Sequence, residues 1–502
     1  MKVLVANRGE IAVRVIRACR ELGLRAVAVY SECDRDALHV TFADEAYAIG
    51  PSPAVESYLN IERLVEVARR AGADAVHPGY GFLAENPAFA RACRDAGLRF
   101  IGPAPEVIAL MGSKTAARQA ARRAGVPVVP GTEVPLGPDA PDEAIAAAAA
   151  DVGYPLLVKA VAGGGGKGMR PAAGPAELAS AVRAARSEAA SSFGDPAIYF
   201  ERRLAAPRHI EVQLLADHHG TVVPFVEREC SIQRRHQKVV EEAPSVAVTP
   251  ALRRALAEQA ATLARAVGYT NAGTIEFLLD EDGRCYFLEM NTRLQVEHPV
   301  TEMVTGVDLV QWQIRIACGD RLDVDPDRAL TPRGHAIECR IYAEDPDRQF
   351  LPSPGVVLAL ALPGGPGVRV DGGVVAGAAV PVFYDALIAK LVVWGADRPE
   401  AVARLRRALA EYGVLGIPTS IPFLRWLAER PEFLEGRFDT TYVDAVLAAR
   451  TGPFLELSAE QEEIAVVAAA VYAALRRRTG RGAPGAPTPS RWLQAARLEA
   501  LR

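Results

Sequence analysis

The first part of the chain, through residue 101, alternates between short apolar runs and amphipathic segments of helical periodicity. The runs begin at Val3, Ala26, Ala75 and Phe100, and the helical segments include 11–22, 61–70 and 87–95. Strands that are separated by helices of about 10–15 residues form βαβ units and a parallel sheet. The pattern therefore predicts an α/β fold that opens with such a sheet.

The turn after the first apolar run is Asn7-Arg8-Gly9-Glu10. It lacks the three glycines of the G-x-G-x-x-G fingerprint, which bring the backbone close to a dinucleotide. We therefore predict an ordinary strand-to-helix turn here rather than a nucleotide site.

The 502 residues of the chain are enough for about three domains. We assign residues 1–112 to an N-terminal domain and residues 113–332 to a middle domain that begins with a helix at Ser113. A small α/β insert is expected within it, at about 132–203. Region 333–447 is rich in glycine and proline with short strand-like runs, which predicts a mixed C-terminal domain.

Residues 448–502 are predicted to be an extension. Ser458 and Gln461 have the spacing of a capping box, which predicts a helix that ends near Arg478. Residues 479–490 contain three prolines and are typical of a linker. The amphipathic segment 492–502 is either a frayed end or, in our hypothesis, a segment that docks on a partner chain.

Composition excludes several classes of protein. The net charge of −4 gives no excess of positive charge for binding nucleic acid. The longest apolar run, 464–475, is far shorter than the ~20 residues that span a membrane. There is no signal-peptide pattern, and the seven cysteines are scattered without a C-x-x-C pair, which indicates a reducing cytoplasm.

Only six of the 57 basic residues are lysines. They are Lys2, Lys114, Lys159, Lys167, Lys238 and Lys390. A lysine that persists in such an arginine-rich chain marks a place where a compact ammonium group is needed. Because four of the six lie between 114 and 238, we expect an anionic ligand to bind in that interval.

A glycine-rich loop follows a strand-like run that carries Lys159. Residues 163–166 are four consecutive glycines, and Lys167 follows them directly. Glycines let backbone N–H groups approach phosphate oxygens, and lysines supply positive charge. The loop is not a Walker A motif. We predict a phosphate-covering lid, the alternative being a flexible linker.

Two glutamates are predicted to face each other across a hairpin. The runs 274–279 and 285–290 flank Asp282-Gly283, a hairpin-turn signal. A two-residue turn there pairs Glu276 with Glu289 at a Cβ separation of about 4.5–5.5 Å. Such carboxylates repel unless a cation lies between them, and with phosphate oxygens they suit Mg²⁺ or Mn²⁺. The alternative is a solvated hairpin.

Two further segments carry polar side chains. In an extended conformation, segment 291–299 places Arg293, Gln295 and Glu297 on one face, a wall able to hold a small anion and to move a proton. The charge-dense run 227–238 is expected to be a solvated face, although it contains Lys238. His209 is expected to be structural.

Together these residues resemble the biotin carboxylases, which have the ATP-grasp fold. The similarity lies in blocks 5–12, 77–86, 234–238, 293–303, 334–340 and 416–423, and in Lys159 with its glycine loop. It covers about the first 445 residues, with modest departures at Ala162, Lys167 and Ser420. The resemblance implies a Rossmann-like N-terminal domain, a flexible lid and a mixed α/β C-terminal domain.

The resemblance also implies a reaction, the MgATP-dependent carboxylation of biotin on a carrier protein by bicarbonate through carboxyphosphate. Glu297 would be the base, and Arg340 would stabilise the biotin enolate. Bicarbonate and biotin would be held by Lys238, Arg293, Gln295, Val296 and Arg340. The metal, Mg²⁺ or Mn²⁺, would be held by Glu276, Glu289 and Asn291. The ATP-binding residues would be Lys114, Lys159, Gly164, Gly165, Gly166, Lys167, Gly168, Met169, Glu201, His209, Gln233, His236, Glu276 and Glu289.

The resemblance further implies a homodimer that works with a separate biotin carboxyl carrier protein and with carboxyltransferase subunits. None of the five methionines lies in the Ala-Met-Lys-Met context of a biotinylation site. Acetyl-CoA, as in fatty acid biosynthesis, other acyl-CoA molecules and pyruvate all stay open as final acceptors. The alternatives are another ATP-grasp ligase and a nucleotide-binding regulatory subunit without turnover.

Overall fold

The structure is a computed structural model, and it describes residues 1–161, 168–455 and 458–479. The chain divides into two compact units, Met1–Thr451 and Gly452–Arg502. The fold is mixed α/β, as predicted.

The N-terminal region contains a five-stranded parallel sheet of order β3-β2-β1-β4-β5, as the alternating pattern predicts. Asn60 and Asn86 cap α3 and α4 by accepting hydrogen bonds from backbone N–H groups of the first turn. The elements are β1 (Lys2–Val5), α1 (Gly9–Glu21), β2 (Arg25–Ser31), α2 (Leu38–Phe42), β3 (Glu45–Gly50), α3 (Ile61–Arg70), β4 (Ala75–His77), α4 (Pro87–Asp95), β5 (Arg99–Phe100) and α5 (Pro105–Gly112).

The next region builds a small antiparallel sheet of order β7-β6-β8. Its elements are α6 (Lys114–Arg123), α7 (Asp142–Val152), β6 (Leu156–Ala160), β7 (Met169–Ala172), α8 (Pro175–Phe193) and β8 (Ile198–Arg202). Ser113 caps α6, where a helix start was predicted. Apolar side chains of α7, α8 and the three strands form a core of their own, which includes Ile145, Leu178 and Phe200.

A large, mainly antiparallel sheet occupies the rest of the first unit. Its path is β14-β13-β9-β11-β12-β15-β22-β20, with β10 paired to β9. The first elements of this region are β9 (Arg208–Ala216), β10 (Val222–Pro224), β11 (Arg228–Arg234), β12 (Gln237–Ala243), α9 (Pro250–Ala266), β13 (Asn271–Leu279), β14 (Cys285–Asn291), α10 (His298–Thr305), α11 (Leu309–Ala317) and α12 (Pro326–Leu330).

The remaining elements of the first unit extend this sheet and cover it. They are β15 (His335–Tyr342), β16 (Glu344–Asp345), β17 (Leu351–Pro352), β18 (Gly355–Val356), β19 (Ala359–Ala361), β20 (Val368–Gly372), β21 (Ala379–Val380), β22 (Leu387–Gly395), α13 (Arg398–Glu411), β23 (Gly413–Leu415), α14 (Ile421–Leu427), α15 (Pro431–Leu434) and α16 (Tyr442–Ala449). Antiparallel pairing of β12 with β15 joins the predicted middle and C-terminal regions through one continuous sheet.

The second unit contains helix α17 (Ala459–Thr479). The predicted capping box is present: Gln461 N–H donates to Ser458 Oγ at 3.2 Å, and Ser458 N–H donates to Gln461 Oε1 at 2.9 Å. The predicted linker and docking segment, from residue 480 onward, lie outside the described residues. No helix in the described part of the chain is long and apolar enough to cross a membrane.

Two expectations about local structure are wrong. Segment 292–297 is not a strand: β14 ends at Asn291, and Glu297 is the N-cap of α10. The run 227–238 is not a solvated face, because most of it forms β11 and the start of β12 in the middle of the large sheet, where Arg228 is completely buried.

Candidate active site

A cavity of about 730 Å³ opens where the large sheet faces the N-terminal region. Ten of the predicted site residues line it: His209, His236, Lys238, Glu276, Glu289, Asn291, Arg293, Gln295, Val296 and Arg340. They come from β9, β12, β13, β14, β15, the segment after β14 and the turn between β11 and β12. The sheet therefore brings together residues that are up to 131 positions apart, from His209 to Arg340.

The turn Asn7–Glu10 also lines this cavity. It connects β1 to α1, as predicted. Asn7 Nδ2 donates to the carbonyl oxygens of Pro78, at 2.7 Å, and of Tyr80, at 2.8 Å. Asn7 thus fixes a second loop of the N-terminal region at the cavity, a role that the sequence pattern did not predict.

Glu276 and Glu289 are cross-strand partners in β13 and β14, as predicted. The turn, however, is longer than the predicted two residues, because Asp280 N–H bonds to the Arg284 carbonyl and Gly283 adopts a φ of +80° between them. A bulge restores the pairing: Phe277 pairs with Phe287 and Glu276 with Glu289, so Leu288 is the extra residue.

The carboxylate pair fits a divalent cation. Glu276 Oε1 accepts hydrogen bonds from Asn291 Nδ2 at 2.9 Å and Gln295 Nε2 at 3.3 Å, and Oε2 lies 3.0 Å from His209 Nε2. Burial, followed by the charge of Glu276, raises the pKa of Glu289. Two facing carboxylates and an amide oxygen are the hard oxygen ligands that Mg²⁺ prefers.

Lys238 lies at the centre of the acidic residues. Its Nζ donates to Glu211 Oε2 at 2.6 Å, Glu297 Oε1 at 2.7 Å and Glu276 Oε1 at 2.9 Å. Burial opposes the charge of Lys238, yet the three carboxylates raise its pKa well above the usual value. Glu211, which sequence reasoning missed, is completely buried and also binds the guanidinium of Arg228.

Glu297 is completely buried beneath the cavity. Its Oε2 accepts a hydrogen bond from Arg340 Nη2 at 3.0 Å, and its Oε1 accepts the bond from Lys238. Burial alone would raise the pKa of Glu297, but the charges of Lys238, Arg340 and Arg228 outweigh burial and hold it well below the usual value. The site therefore holds an ionised carboxylate between two cations.

Arg293 connects the N-terminal region to the site. Its Nε donates to Glu85 Oε2 at 2.8 Å, Nη1 to Gln295 Oε1 at 2.9 Å and Nη2 to Asn291 Oδ1 at 3.1 Å. Glu85 also accepts a hydrogen bond from the backbone N–H of Thr292 at 2.9 Å. These contacts hold segment 292–297 in a conformation that is not a β-strand.

The predicted phosphate-binding residues form a second group. Lys159 of β6 and Glu201 of β8 are both buried and hydrogen-bonded, and Arg118 of α6 also donates to Glu201. Burial would raise the pKa of Glu201, but the charges of Lys159 and Arg118 lower it. Gly168 and Met169 lie where β7 begins, whereas Gly164, Gly165, Gly166 and Lys167 lie outside the described residues.

The charge of Lys114 interacts with both groups. Burial lowers the pKa of its ammonium, while the charges of Glu289 and Glu201 favour the charged form. Lys114 begins α6, directly after the Ser113 cap. Its positive charge therefore interacts with the carboxylate pair and with Glu201.

The hairpin between β11 and β12 carries Gln233 and His236. Arg234 pairs with Gln237, so Arg235 and His236 form a two-residue turn, and both have positive φ, 48° and 66°. Turns of this kind follow the right-handed twist of the strands, but they usually contain Asn or Gly. The side chain of Gln233 is buried, opposite Lys238.

Comparison with known proteins agrees with this geometry. The family model of the biotin carboxylase N-terminal domain matches residues 1–108, and that of its C-terminal domain matches residues 338–445. Between them, residues 113–325 match the ATP-binding domain of the carbamoyl-phosphate synthase L chain.

Individual relatives match along most of the chain. A biotin carboxylase of Nostoc sp. is 52% identical, covering 88% of this chain and 98% of that protein. A biotin carboxylase of Halalkalibacterium halodurans is also 52% identical, covering 90% and 99%. A pyruvate carboxylase subunit of Methanothermobacter thermautotrophicus is 53% identical, covering 88% and 89%.

A solved structure is also similar: the biotin carboxylase domain dimer of Hydrogenobacter thermophilus 2-oxoglutarate carboxylase with MgADP, ADP and bicarbonate. The TM-score is 0.86 at 47% identity, covering 91% of this chain and 99% of that one. Domain order, sequence identity and structure all agree, and the chain therefore belongs to the biotin carboxylase family, whose members carboxylate biotin in a reaction that consumes ATP.

Proposed function

We propose that the cavity activates bicarbonate with ATP and passes the carboxyl group to biotin on a separate carrier protein. The observation that supports this most is the ionised, fully buried Glu297 held between Lys238 and Arg340. A buried carboxylate beside cations can both orient an acidic anion and take its proton.

Bicarbonate would bind against Lys238, Arg293, Gln295 and Val296, which share one stretch of the cavity wall. The bound anion would compete with Glu297 for Lys238. The pKa of Glu297 would then rise toward its usual value, and the carboxylate would become a stronger base. Glu297 would take the bicarbonate proton while a bicarbonate oxygen attacks the γ-phosphorus of ATP and ADP leaves.

The triphosphate would lie between the carboxylate pair and the second group around Lys159 and Lys114. Glu276, Glu289 and Asn291 would hold Mg²⁺ or Mn²⁺, which when bound neutralises phosphate charge. Lys114, whose charge interacts with both groups, would bind phosphate oxygens. Glu201, His209, Gln233, His236 and the loop 164–169 would complete the nucleotide site.

The second half of the reaction uses Arg340. Carboxyphosphate would break into CO₂ and phosphate, and the phosphate would take the ureido proton of biotin. The enolate that results carries negative charge on its oxygen, and Arg340 would stabilise it. Glu241 accepts a hydrogen bond from Arg340 Nε at 2.6 Å, which fixes the direction of the guanidinium.

The separate core of segment 132–203 supports a role as a lid that closes over ATP. We also propose that the domains end at residues 112, 332 and 447, as the sequence predicts.

A homodimer is proposed because the similar 2-oxoglutarate carboxylase domain forms a dimer. Partners would be a biotin carboxyl carrier protein and carboxyltransferase subunits, and the acceptor is an acyl-CoA or a 2-oxo acid.

The test is ATP hydrolysis by the purified chain with and without bicarbonate, in the presence of free biotin. Bicarbonate-dependent ADP release together with formation of carboxybiotin is expected. Hydrolysis that requires a different carboxylate substrate would favour another ATP-grasp ligase. ATP binding without any turnover would favour a regulatory subunit.

A further inference from the structure

Four charged side chains lie on one face of the large sheet, next to Glu297. Glu241 of β12 pairs with Glu338 of β15, and Arg340 of β15 pairs with Lys390 of β22. Directly paired residues share a face, as do residues two apart in a strand. All four are buried, and Lys390 has no exposed surface at all. Two of the four are cations, and both contact segment 292–297, part of the proposed bicarbonate site.

The two cations hold consecutive residues of that segment. Arg340 Nη2 donates to the Glu297 side chain, whereas Lys390 Nζ donates to the backbone carbonyl of Val296 at 2.9 Å. The peptide that follows this carbonyl leads directly to Glu297. Segment 292–297 is neither helix nor strand, so no regular hydrogen-bond ladder fixes it.

The ammonium is anchored from behind. Lys390 Nζ lies 3.3 Å from Glu10 Oε2 and 3.9 Å from Asp371 Oδ2. Asp371 in turn binds Arg369, which donates to it with Nε at 2.9 Å and Nη2 at 2.8 Å. If Lys390 served only to balance buried acids, its shortest contact would be to a carboxylate, but its shortest contact is to the neutral Val296 carbonyl.

We propose that Lys390 is a positioning residue for carboxylation: by holding the Val296 carbonyl it orients the Val296 backbone and the Glu297 carboxylate toward bicarbonate. The proposal rests on the proposed function. It also accounts for a lysine that the nucleotide site does not use, in a chain where only six of 57 basic residues are lysine. A compact ammonium fits this enclosed position, whereas a planar guanidinium needs a different shape of space.

The test is Lys390→Met, which keeps the unbranched stem of the side chain and removes the terminal ammonium donor. Misplacement of a reacting group by about 1 Å costs on the order of 10²-fold in rate. We therefore expect kcat/KM for bicarbonate to fall by about 10- to 100-fold, with ATP affinity nearly unchanged. The matched control is Lys2→Met, since Lys2 Nζ also donates to a backbone carbonyl, that of Ala71, at 2.7 Å outside the site.

Loss of Lys390 leaves Glu10 short of a cation, whereas Asp371 keeps its two hydrogen bonds from Arg369. The single variant can fail to fold because of the unpaired Glu10. The double variant Lys390→Met with Glu10→Gln removes this acid as well. We expect it to recover Tm but not kcat/KM for bicarbonate. Recovery of both would show that Lys390 only balances charge and would overturn the proposal, as would a double variant that does not fold.

Wild-type kinetics in a folded Lys390→Met variant would equally overturn the positioning role. The proposed function is tested separately in the same experiment. A wild-type chain without bicarbonate-dependent ATP hydrolysis would contradict that function, whatever the variants do.

Discussion

Glu276 and Glu289 face each other across β13 and β14 because β14 carries one extra residue, Leu288, at the bulge. Without the bulge, the register set by Phe277 and Phe287 would place Leu288, and not Glu289, opposite Glu276. The bulge therefore restores the carboxylate pair that the longer turn would have displaced. Bulges often aim side chains at active sites, and this one faces the cavity.

The two glutamates are expected to respond differently to amide substitution. Glu276 is buried and accepts hydrogen bonds from Lys238, Asn291 and Gln295, whereas Glu289 is half-buried with a raised pKa. Both Glu276→Gln and Glu289→Gln should increase the Mg²⁺ concentration needed for half-maximal activity. Glu276→Gln should also lower Tm, while Glu289→Gln should leave Tm unchanged or raise it, because a like charge is removed.

Metal titration of ATP hydrolysis and thermal unfolding of both variants measure these effects. Glu281→Gln, on the exposed turn of the same hairpin, is the matched control. Metal titrations of both site variants that overlay the wild type would place the metal elsewhere.

Glu297→Gln keeps the shape of the side chain and removes the base. Turnover that depends on bicarbonate should fall by about 10²- to 10⁴-fold, the usual range for loss of a general base. ATP affinity should change little, because Glu297 contacts Lys238 of the proposed bicarbonate site and not the Lys159–Glu201 pair. Steady-state hydrolysis and equilibrium ATP binding test this, and near-wild-type turnover would remove Glu297 from the mechanism.

Local signals predicted the N-terminal helices well. Helices at 61–70 and 87–95 were expected from periodicity, and the structure has them within those bounds, each behind an asparagine cap. Such caps act within a few residues, so a sequence shows them directly. The pairing of Glu276 with Glu289 was also predicted, although through a turn that the structure does not have.

Burial of charge was harder to predict, because it depends on partners that are distant in sequence. Arg228 is completely buried since Glu211, Gln213, Thr274 and Thr301 surround its guanidinium. Nothing in the run 227–238 itself reveals these partners. Likewise, the alternation at 292–297 is typical of a strand, and the segment turns instead where it contacts distant residues such as Glu85 and Lys390.

Glu241 is expected to make stability depend on pH. Burial raises its pKa to about 7, against the opposing charge of Arg340. The folded state then binds the proton more tightly than the unfolded state does, so stability from this group is lost as pH rises from about 4.5 to about 7. Glu241→Gln removes this loss and retains an oxygen for Arg340.

The Tm of Glu241→Gln minus that of the wild type should therefore increase between about pH 5 and pH 8. Thermal unfolding across this range measures the difference in Tm. The exposed Glu281→Gln is the control, and its Tm should differ from that of the wild type by the same amount at every pH. If the Tm difference between Glu241→Gln and the wild type does not change with pH, the raised pKa of Glu241 is contradicted.

A chain that ends at Thr451 should keep the half-reaction with free biotin. The first compact unit ends there, and the family matches end at residue 445. Ile464, Val466, Val467 and Val471 of helix α17 are exposed, and the residues that line the cavity belong to the first unit. The rate of bicarbonate-dependent ATP hydrolysis should therefore stay within about two-fold of that of the full chain, because changes far from structural and functional features usually have small effects.

The matched control ends at Arg430, which removes the buried side chains of Phe433, Phe438, Tyr442 and Val443. It also removes the carbonyl of Gly436, which accepts a hydrogen bond from Arg208 at the start of β9, at 2.6 Å. This shorter chain should lose both Tm and activity, because β9 carries His209 and Glu211. A chain ending at Thr451 that folds but cannot hydrolyse ATP with bicarbonate would show that residues 452–502 take part in the half-reaction itself.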